Sequence, residues 1–235
     1  MNMKLITVAT YNIRHGHDVS LDFSKLAEVI LSTGADIVGL QEVDMYTRRV
    51  LGKDTLAELS AATGFSYSYF IPTMDYDGGR YGTAILSRFP IRTSETYELY
   101  WGSFEPRSVG IAEVILPDGN PVRIVNTHLC VESAEVRSIQ IKQIAYRCGE
   151  MEGDVIPTII TGDFNTQDLR ELTPFIEYGF ETVNGTSVTY PTFRPSGAAI
   201  DHILYRRKHM ILESCEMLSY DTSDHNPLVC TFSIL

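Results

Sequence analysis

The sequence predicts a layered α/β fold in which two sheets pack face to face and helices cover the outside. The N-terminal part reads as strand, helix, strand, helix, and the middle reads as consecutive strands joined by short turns. Consecutive strands with short connections pair antiparallel, so the expected sheets are mixed and mainly antiparallel. The 235-residue chain shows no internal repeat and no linker-like stretch, which predicts a single domain over residues 1–235.

The N-terminal elements follow from apolar spacing. Residues 4–13 are rich in β-branched side chains and are a predicted strand, and residues 36–43 are a predicted buried strand. Between them, apolar residues recur at helical spacing over 23–31, with Asp22 as the expected N-cap and Gly34 just past the end. A second helix is predicted over 54–63 and ends at Gly64.

The remainder of the chain alternates apolar runs with turn signals such as the sequence Asp77-Gly78-Gly79. This pattern predicts nine further strands and two helices. The strands are expected over 65–71, 81–87, 95–100, 108–116, 121–129, 155–161, 199–206 and 210–218, with a closing strand over 227–234 and helices over 133–151 and 168–178.

Charge and the N-terminal sequence restrict the classes of function. The chain carries 19 basic and 30 acidic residues, a net charge of −11, which argues against binding to nucleic acid through a broad basic face. It leaves a nucleic-acid enzyme open, because a divalent metal ion offsets negative charge locally. The N-terminus shows no signal-peptide pattern and no stretch approaches the length of a membrane span, so a cytoplasmic location is expected.

The four cysteines, Cys130, Cys148, Cys215 and Cys230, are widely spaced and form no Cys-x-x-Cys pair. This spacing suggests neither a zinc site nor a redox motif. We expect buried free thiols at all four positions.

Six polar clusters lie at the ends of predicted strands, where rigid scaffolds place functional groups. A capped turn would explain any one of them, since Asp, Asn and Ser are common at such ends, but it does not explain all six together. The clusters are TYN (10–12), QEVD (41–44), NTHL (126–129), GDFN (162–165), IDH (200–202) and SDHNP (223–227).

In this order the clusters resemble the motifs of the endonuclease/exonuclease/phosphatase superfamily of metal-dependent phosphoesterases. The resemblance extends from about residue 4 to about residue 234, and the ordered set is far more specific than any single motif. It implies the four-layer α/β/β/α sandwich of the DNase-like fold. The markers are TYNIR, LQEVD, YGTAILSR, EPR, VNTHL, TGDFN, IDHIL and SDHNPL.

The resemblance also implies a metal site. Glu42 is similar to the principal metal ligand of the superfamily, with Asn12 and Asp224 on either side of the ion. Carboxylate and amide oxygens are hard ligands, which Mg²⁺ prefers, so Mg²⁺ is the expected cofactor and Mn²⁺ a substitute.

The resemblance implies the catalytic residues in the same way. Asp163 would orient and deprotonate the attacking water, Asn165 would hold the water or a phosphate oxygen, and His128 and His225 would contact the scissile phosphate. We predict a hydrogen bond between His225 and Asp201, which would raise the pKa of the histidine. The GDFN spacing suggests that the Asp163 and Asn165 side chains point the same way if the segment is extended.

Substrate contacts are implied for Arg107, Asn126 and Tyr81, and the loops 72–82 and 190–199 are expected to border the cleft. The other histidines have simpler interpretations. His202 follows Asp201 on a strand and is expected to face away from the site in a structural role. The histidines that follow the TYNIR strand are expected to be solvated. These are His15 and His17.

The function implied is Mg²⁺-dependent hydrolysis of a phosphate ester by in-line attack of activated water, with a phosphodiesterase or nuclease as the leading interpretation. One alternative is a phosphomonoesterase acting on a soluble or lipid phosphate, and another is a non-catalytic binding module that retains the fold. Nucleic acid is among the candidate substrates. The sequence predicts neither stable membrane association nor a protein partner.

Overall fold

The computed structural model describes residues 4–150, 155–185 and 189–235, and within these ranges it contains twelve strands and four α-helices. The strands are β1 (Lys4–Asn12), β2 (Ile37–Met45), β3 (Tyr67–Tyr76), β4 (Gly79–Ser87), β5 (Ile91–Leu99), β6 (Arg107–Ile115), β7 (Pro121–His128), β8 (Thr158–Asp163), β9 (Phe180–Thr182), β10 (Asp201–Arg206), β11 (Met210–Met217) and β12 (Leu228–Ile234). The helices are α1 (Phe23–Ser32), α2 (Thr55–Thr63), α3 (Ala134–Glu150) and α4 (Thr173–Glu177).

The strands form two six-stranded sheets. The first has the order β11-β12-β1-β2-β4-β3 and the second has the order β5-β6-β7-β8-β10-β9. Each sheet has one parallel pair near its centre, β1 with β2 and β7 with β8, and a helix lies between the two strands of each pair in the chain. The other pairs are antiparallel, so the sheets are mixed and mainly antiparallel, as predicted.

The two sheets bury apolar side chains on both faces, as strand alternation requires. In the first sheet, Val8 and Ile37 pack in the core between the sheets, whereas Ala9 and Val38 pack in the core beneath α1 and α2. The second sheet repeats this pattern against α3 and α4. Three apolar layers therefore separate four structural layers, which confirms the α/β/β/α sandwich.

Asn126 on β7 ties the second sheet to the first. Its Nδ2 donates to the carbonyl oxygens of Leu40 and Ala84, each at 2.9 Å, and its Oδ1 accepts from Gln41 Nε2 at 2.8 Å and Thr161 Oγ1 at 3.0 Å. All of its hydrogen-bonding capacity is used by these described residues, and the side chain is fully buried. We therefore assign Asn126 to the interface between the sheets, which corrects its expected role in substrate contact.

Gly39 on β2 makes this approach possible. A Cβ atom at this position would collide with Thr161 Oγ1 and Asn126 Oδ1. A glycine in the middle of a strand often marks such a close approach between neighbouring layers.

Several predicted boundaries differ from the structure. The expected helix over 168–178 is a 3₁₀ turn followed by the five-residue helix α4, because Pro174 lacks the amide hydrogen needed to continue the turn into one helix. The expected loop over 72–82 is mostly the β3–β4 hairpin, and the short strand β9 was not predicted. The predicted end of the long helix at Met151 lies outside the described residues.

Two of the cysteines also differ from expectation. Cys215 on β11 and Cys230 on β12 are directly opposite in the sheet register and form a disulfide, so free thiols at these positions are wrong. Their separation of 15 residues carries no pairing signal, because the contact is set by how the two strands align. Cys130 and Cys148 are buried free cysteines, as predicted.

Within the described ranges, none of the helices combines the length and the apolar character needed to cross a membrane.

The position of Asn126 generates a stability prediction. We expect Asn126→Ala to lower the free energy of unfolding by about 2–4 kcal/mol, because it removes the side-chain donor to two buried backbone carbonyls and one buried acceptor of Gln41. Urea denaturation should show a lower midpoint at an unchanged slope. Asn120→Ala, in an exposed turn, is the matched control. A loss equal to that of the control would contradict the proposed tie between the sheets.

Candidate active site

Three predicted catalytic residues lie in one row across neighbouring strands of the second sheet. His128 at the end of β7 is paired in register with Asp163 at the end of β8, and Asp163 is paired with Asp201 at the start of β10. Residues paired across strands project from the same face. The strand register therefore brings these three side chains together at one end of the sandwich.

Asp163 is the centre of this group. Its Oδ2 lies 3.0 Å from Asn12 Nδ2, 3.5 Å from His128 Nε2 and 3.7 Å from His225 Nε2. Its Oδ1 accepts the backbone N–H of Asn165 at 3.0 Å. Burial, together with the negative charge of Asp201, raises the pKa of Asp163 above its ordinary value. The carboxylate of Asp163 therefore accepts a proton more readily than an ordinary aspartate does.

The predicted pairing of His225 with Asp201 is present. Nδ1 of His225 lies 2.7 Å from Oδ2 of Asp201, and both side chains are buried. Burial by itself lowers the pKa of His225, but the charge and hydrogen bond of Asp201 outweigh it, so the pKa is raised. The pKa of His225 is thus shifted upward, as predicted, and the imidazole is cationic near neutral pH. Its catalytic role stays a prediction.

His128 behaves differently from His225. Burial and the neighbouring positive charge of Arg107 hold the pKa of His128 well below its ordinary value. Its Nδ1 is buried and has no hydrogen-bond partner among the described residues. The two histidines beside Asp163 therefore differ in charge, with His225 cationic and His128 neutral.

Glu42 lies in a β-bulge of β2, where the pairing register with β4 shifts between Leu40 and Val43. Its backbone is left-handed, with φ of 55°, a conformation that glutamate rarely adopts. A bulge of this kind redirects a side chain at a sheet end. Burial opposes ionisation, yet contacts with His15, His128 and Asn12 lower the pKa of Glu42 to about 2.

His15 is a residue of the site that the sequence analysis missed. Its Nδ1 lies 3.5 Å from Glu42 Oε2, and its side chain is only 17% exposed, so the expectation of a solvated loop histidine is wrong. His17 is 61% exposed, as expected. The sequence signal that could have found this turn is Gly16, which follows His15 and has φ of 81°.

The preceding residue contacts a second predicted metal ligand. Nε of Arg14 lies 3.6 Å from Asp224 Oδ2, and its Nη1 lies 3.1 Å from Asp18 Oδ1. The short turn after β1 thus places one side chain on Asp224 and the next on Glu42.

These groups open onto a cleft of about 530 Å³. Arg107 is buried and ion-paired with Glu105 at 2.7 Å, and Tyr81 beside it is nearly buried. Burial and the negative charge of Glu42 raise the pKa of Tyr81 well above its ordinary value. Segments 72–82 and 190–199 both contribute to the lining, as predicted. The predicted site residues that line the cleft are Glu42, Tyr81, Arg107, His128, Asp163, Asn165, Asp224 and His225.

Arg49 is a further lining residue that sequence analysis did not select. It forms two hydrogen bonds to the Asp44 carboxylate, at 2.6 and 2.7 Å. Its guanidinium lies 4.6 Å from the ring centroid of Tyr76 and 5.3 Å from that of Tyr81. The arginine therefore fixes an aromatic wall of the cleft.

Two other predicted residues take positions that the sequence did not specify. Asn165 is left-handed, with φ of 52°, and its Nδ2 donates to the Leu129 carbonyl, so the extended geometry expected for GDFN is wrong. His202 points to the opposite face, as predicted. Its ring nitrogens lie 2.8 Å from the Thr166 carbonyl and 3.1 Å from Asn184 Nδ2.

The donor groups fit a divalent cation. The ionised Glu42 and Asp224 both line the cleft. Asn12 turns its amide nitrogen toward Glu42 Oε1 at 3.1 Å, and its Oδ1 accepts the backbone N–H of Arg14 at 3.0 Å, so this amide presents no oxygen beside Glu42. Asp163, Asp201 and His225 also have potential ligand atoms within 4.8 Å of one another. In that second group, however, His225 Nδ1 is already engaged by Asp201. Glu42 therefore stays the predicted anchor for a metal ion that prefers oxygen ligands.

Comparisons with known proteins agree with this architecture. The chain is 31% identical over 134 residues to a UPF0294 protein of Vibrio cholerae, covering 55% of this chain and 46% of the relative. It is 29% identical over 168 residues to the Escherichia coli protein YbhP, covering 67% and 66%. The chain spans about half the length of the UPF0294 relatives it matches.

Among solved structures, an endonuclease/exonuclease/phosphatase from Beutenbergia cavernae has a TM-score of 0.81 at 20% identity, covering 98% of this chain and 72% of that one. D. rerio TDP2, complexed with a single-strand DNA product, has a TM-score of 0.76 at 19% identity, covering 98% and 99%. The mannosyl-6-phosphatase of Bacteroides thetaiotaomicron has a TM-score of 0.73 at 19% identity, covering 98% and 99%. At these identities the likeness shows the shared fold.

The family model of the Endonuclease/Exonuclease/phosphatase family matches residues 9–225. This match runs from β1 to the segment before β12 and includes every residue that the site description places around Asp163 and Glu42. The chain therefore belongs to the Endonuclease/Exonuclease/phosphatase family.

Proposed function

We propose that this protein is a divalent-metal-dependent phosphoesterase that hydrolyses a phosphodiester by direct attack of water. The observation that carries the proposal is the arrangement around Asp163. One buried carboxylate is approached by Asn12, His128 and His225 at the mouth of a cleft that also contains Glu42. Family membership supports the reaction class.

Asp163 is the general base of this proposal. Its pKa is raised toward neutral pH. A base with such a pKa is partly ionised under these conditions and also accepts a proton effectively. The backbone N–H of Asn165 and the amide of Asn12 fix the carboxylate, so that its orientation does not depend on the substrate. The water then attacks phosphorus on the side opposite the leaving oxygen.

The histidines stabilise the charge that develops on the phosphate oxygens. His225 presents its cationic Nε2 toward Asp163, because Asp201 holds the other ring nitrogen. His128 lies on the adjacent strand and offers its Nε2 to the same region. Groups fixed in this way need little reorganisation during the reaction.

Glu42 and Asp224 would hold the cation, and Asn12 would orient the Glu42 carboxylate through its amide N–H. When bound, Mg²⁺ or Mn²⁺ supplies positive charge to a non-bridging phosphate oxygen and so lowers the barrier to attack. The low pKa of Glu42 keeps its carboxylate ionised and available across the neutral range.

The charges in the cleft favour a diester over a monoester. Arg49 is paired with Asp44, and Arg107 is paired with Glu105, so both arginines of the lining are already neutralised. A phosphomonoester is close to a dianion at neutral pH, whereas a diester carries one negative charge. The shared fold of the B. thetaiotaomicron mannosyl-6-phosphatase keeps a monoesterase as the second candidate.

A substrate comparison tests this proposal. With Mn²⁺ or Mg²⁺ present, we expect bis-nitrophenyl phosphate to be hydrolysed at least about tenfold faster than mono-nitrophenyl phosphate, because the lining offers no surplus positive charge for a dianion. Chelation should abolish both activities. A faster monoester would favour the phosphatase, and no metal-dependent hydrolysis of either compound would favour the binding module.

Asp163→Asn tests the general base. We expect turnover to fall by roughly 10²–10⁴-fold, because the amide cannot accept a proton from water. The amide is nearly isosteric, so thermal unfolding and metal binding should change little. Asp118→Asn, on a turn outside the cleft, is the control. Retention of more than about a hundredth of wild-type turnover would remove Asp163 from this role.

The contact between Asp201 and His225 predicts non-additive losses. Asp201→Asn and His225→Ala should each reduce turnover severely, and the double variant should lose little more than His225→Ala alone, because the carboxylate acts through the imidazole. A double-mutant cycle on turnover measures this coupling. If the two losses simply multiply, the hydrogen bond is structural and His128 carries the phosphate contact.

A further inference from the structure

The turn that follows β1 has an unusual backbone. Arg14, His15 and Gly16 are successive left-handed residues, with φ of 43°, 45° and 81°. Left-handed conformations are uncommon for residues other than glycine, and two in succession cost free energy that local packing has to offset. The result of this backbone is that the His15 side chain turns inward to Glu42.

One ring nitrogen of His15 makes no hydrogen bond of good geometry to a described residue. This atom is Nδ1, which is sheltered from solvent. The nearest anionic atom is Glu42 Oε2 at 3.5 Å, whereas Glu42 Oε1 is held by Asn12. A buried polar nitrogen with only this long contact to Glu42 calls for a closer partner than the described residues supply.

A metal ion is a partner with the right chemistry and spacing. Two ligand atoms at right angles around an ion, with bonds of about 2.1 Å, lie about 3 Å apart, close to the distance between Nδ1 and Oε2. Neutral imidazole nitrogen is a common ligand for transition metals, through either ring nitrogen.

We propose that His15 Nδ1 is a direct ligand of the cation anchored by Glu42, giving this chain a mixed nitrogen and oxygen site. The proposal rests on the metal site of the proposed function and adds a ligand from the strained turn. Imidazole suits Mn²⁺ and the later transition metals better than Mg²⁺, which prefers oxygen ligands and retains its waters. The site should therefore bind Mn²⁺ in preference to Mg²⁺.

The first experiment is spectroscopic. The chelator-treated protein is loaded with one equivalent of Mn²⁺, and electron spin-echo modulation is recorded without substrate. We expect ¹⁴N coupling from a directly bound imidazole in the wild type, its loss in His15→Ala, and its retention in His17→Ala. His17 is the matched control because it lies in the same turn but is exposed.

The second experiment is calorimetric titration of Mn²⁺ and Mg²⁺ into the same variants. Because even the loss of an outer-shell partner costs about 10–100-fold in metal affinity, His15→Ala should weaken Mn²⁺ binding by at least about tenfold. Its effect on Mg²⁺ binding should be clearly smaller. His15→Asn, which tolerates a left-handed backbone and offers an oxygen, should shift the preference toward Mg²⁺.

Three results would overturn the proposal. The first is wild-type Mn²⁺ that shows no nitrogen coupling, and the second is coupling that persists in His15→Ala, which would assign it to another histidine. The third is equal weakening of Mn²⁺ binding by His15→Ala and His17→Ala, which would indicate damage to the turn. The proposed function is judged separately: nitrogen coupling without phosphoester hydrolysis removes the function alone, and metal-dependent hydrolysis without coupling removes the ligand alone.

Discussion

The site depends on polar hydrogen bonds that hold the two sheets in one alignment. Apolar packing between sheets is non-directional, so it does not by itself fix how far one sheet slides along the other. Two asparagines make directional hydrogen bonds that help fix the alignment of the two sheets. Asn126 reaches from the second sheet to the backbone of β2 and β4 in the first, and Asn12 reaches from the first sheet to Asp163 in the second. Glu42 and Asp163, which belong to different sheets, face one cleft because of these ties.

Four of the nine left-handed residues other than glycine in the described part of the chain lie at the site: Arg14, His15, Glu42 and Asn165. Left-handed residues such as Glu42 and Asn165 each cost on the order of 1 kcal/mol, and such residues persist where the surrounding structure determines them strongly. Each one serves a contact at the site: the bulge directs Glu42 toward Asn12, and the Asn165 turn brings its N–H to Asp163. The strained backbone lowers local stability, and in return the carboxylates of Glu42 and Asp163 are held in fixed orientations.

The sequence predicts the parts of the fold that depend on local signals. Asp22 caps α1 by accepting from the Ser24 N–H, and Gly64 ends α2 in a left-handed conformation, both as expected from residue type. The motif order located most of the side chains of the cleft. Contacts that depend on three-dimensional alignment were not accessible. Asn126 lies near the end of a strand, where a substrate-binding residue is also expected, and only its partners on β2 and β4 reveal its place between the sheets. His15 lies in a short polar turn, as solvated histidines do, and its inward direction comes from successive left-handed backbone angles, of which only the one at Gly16 leaves a signal in the sequence.

The two central parallel pairs have a consequence for how this scaffold diversifies. Asn12, His128 and Asp163 stand at the carboxyl ends of β1, β7 and β8, and Glu42 lies near that of β2. The aromatic wall and the outer rim come instead from the β3–β4 hairpin and the 190–199 loop. Under the proposed function, exchange of the hairpin or the loop would alter which leaving group fits, while Asn12, Glu42, His128 and Asp163 stay in place. The proposed chemistry and its selectivity would then lie in different parts of the fold, and changes at the rim alone would admit new substrates.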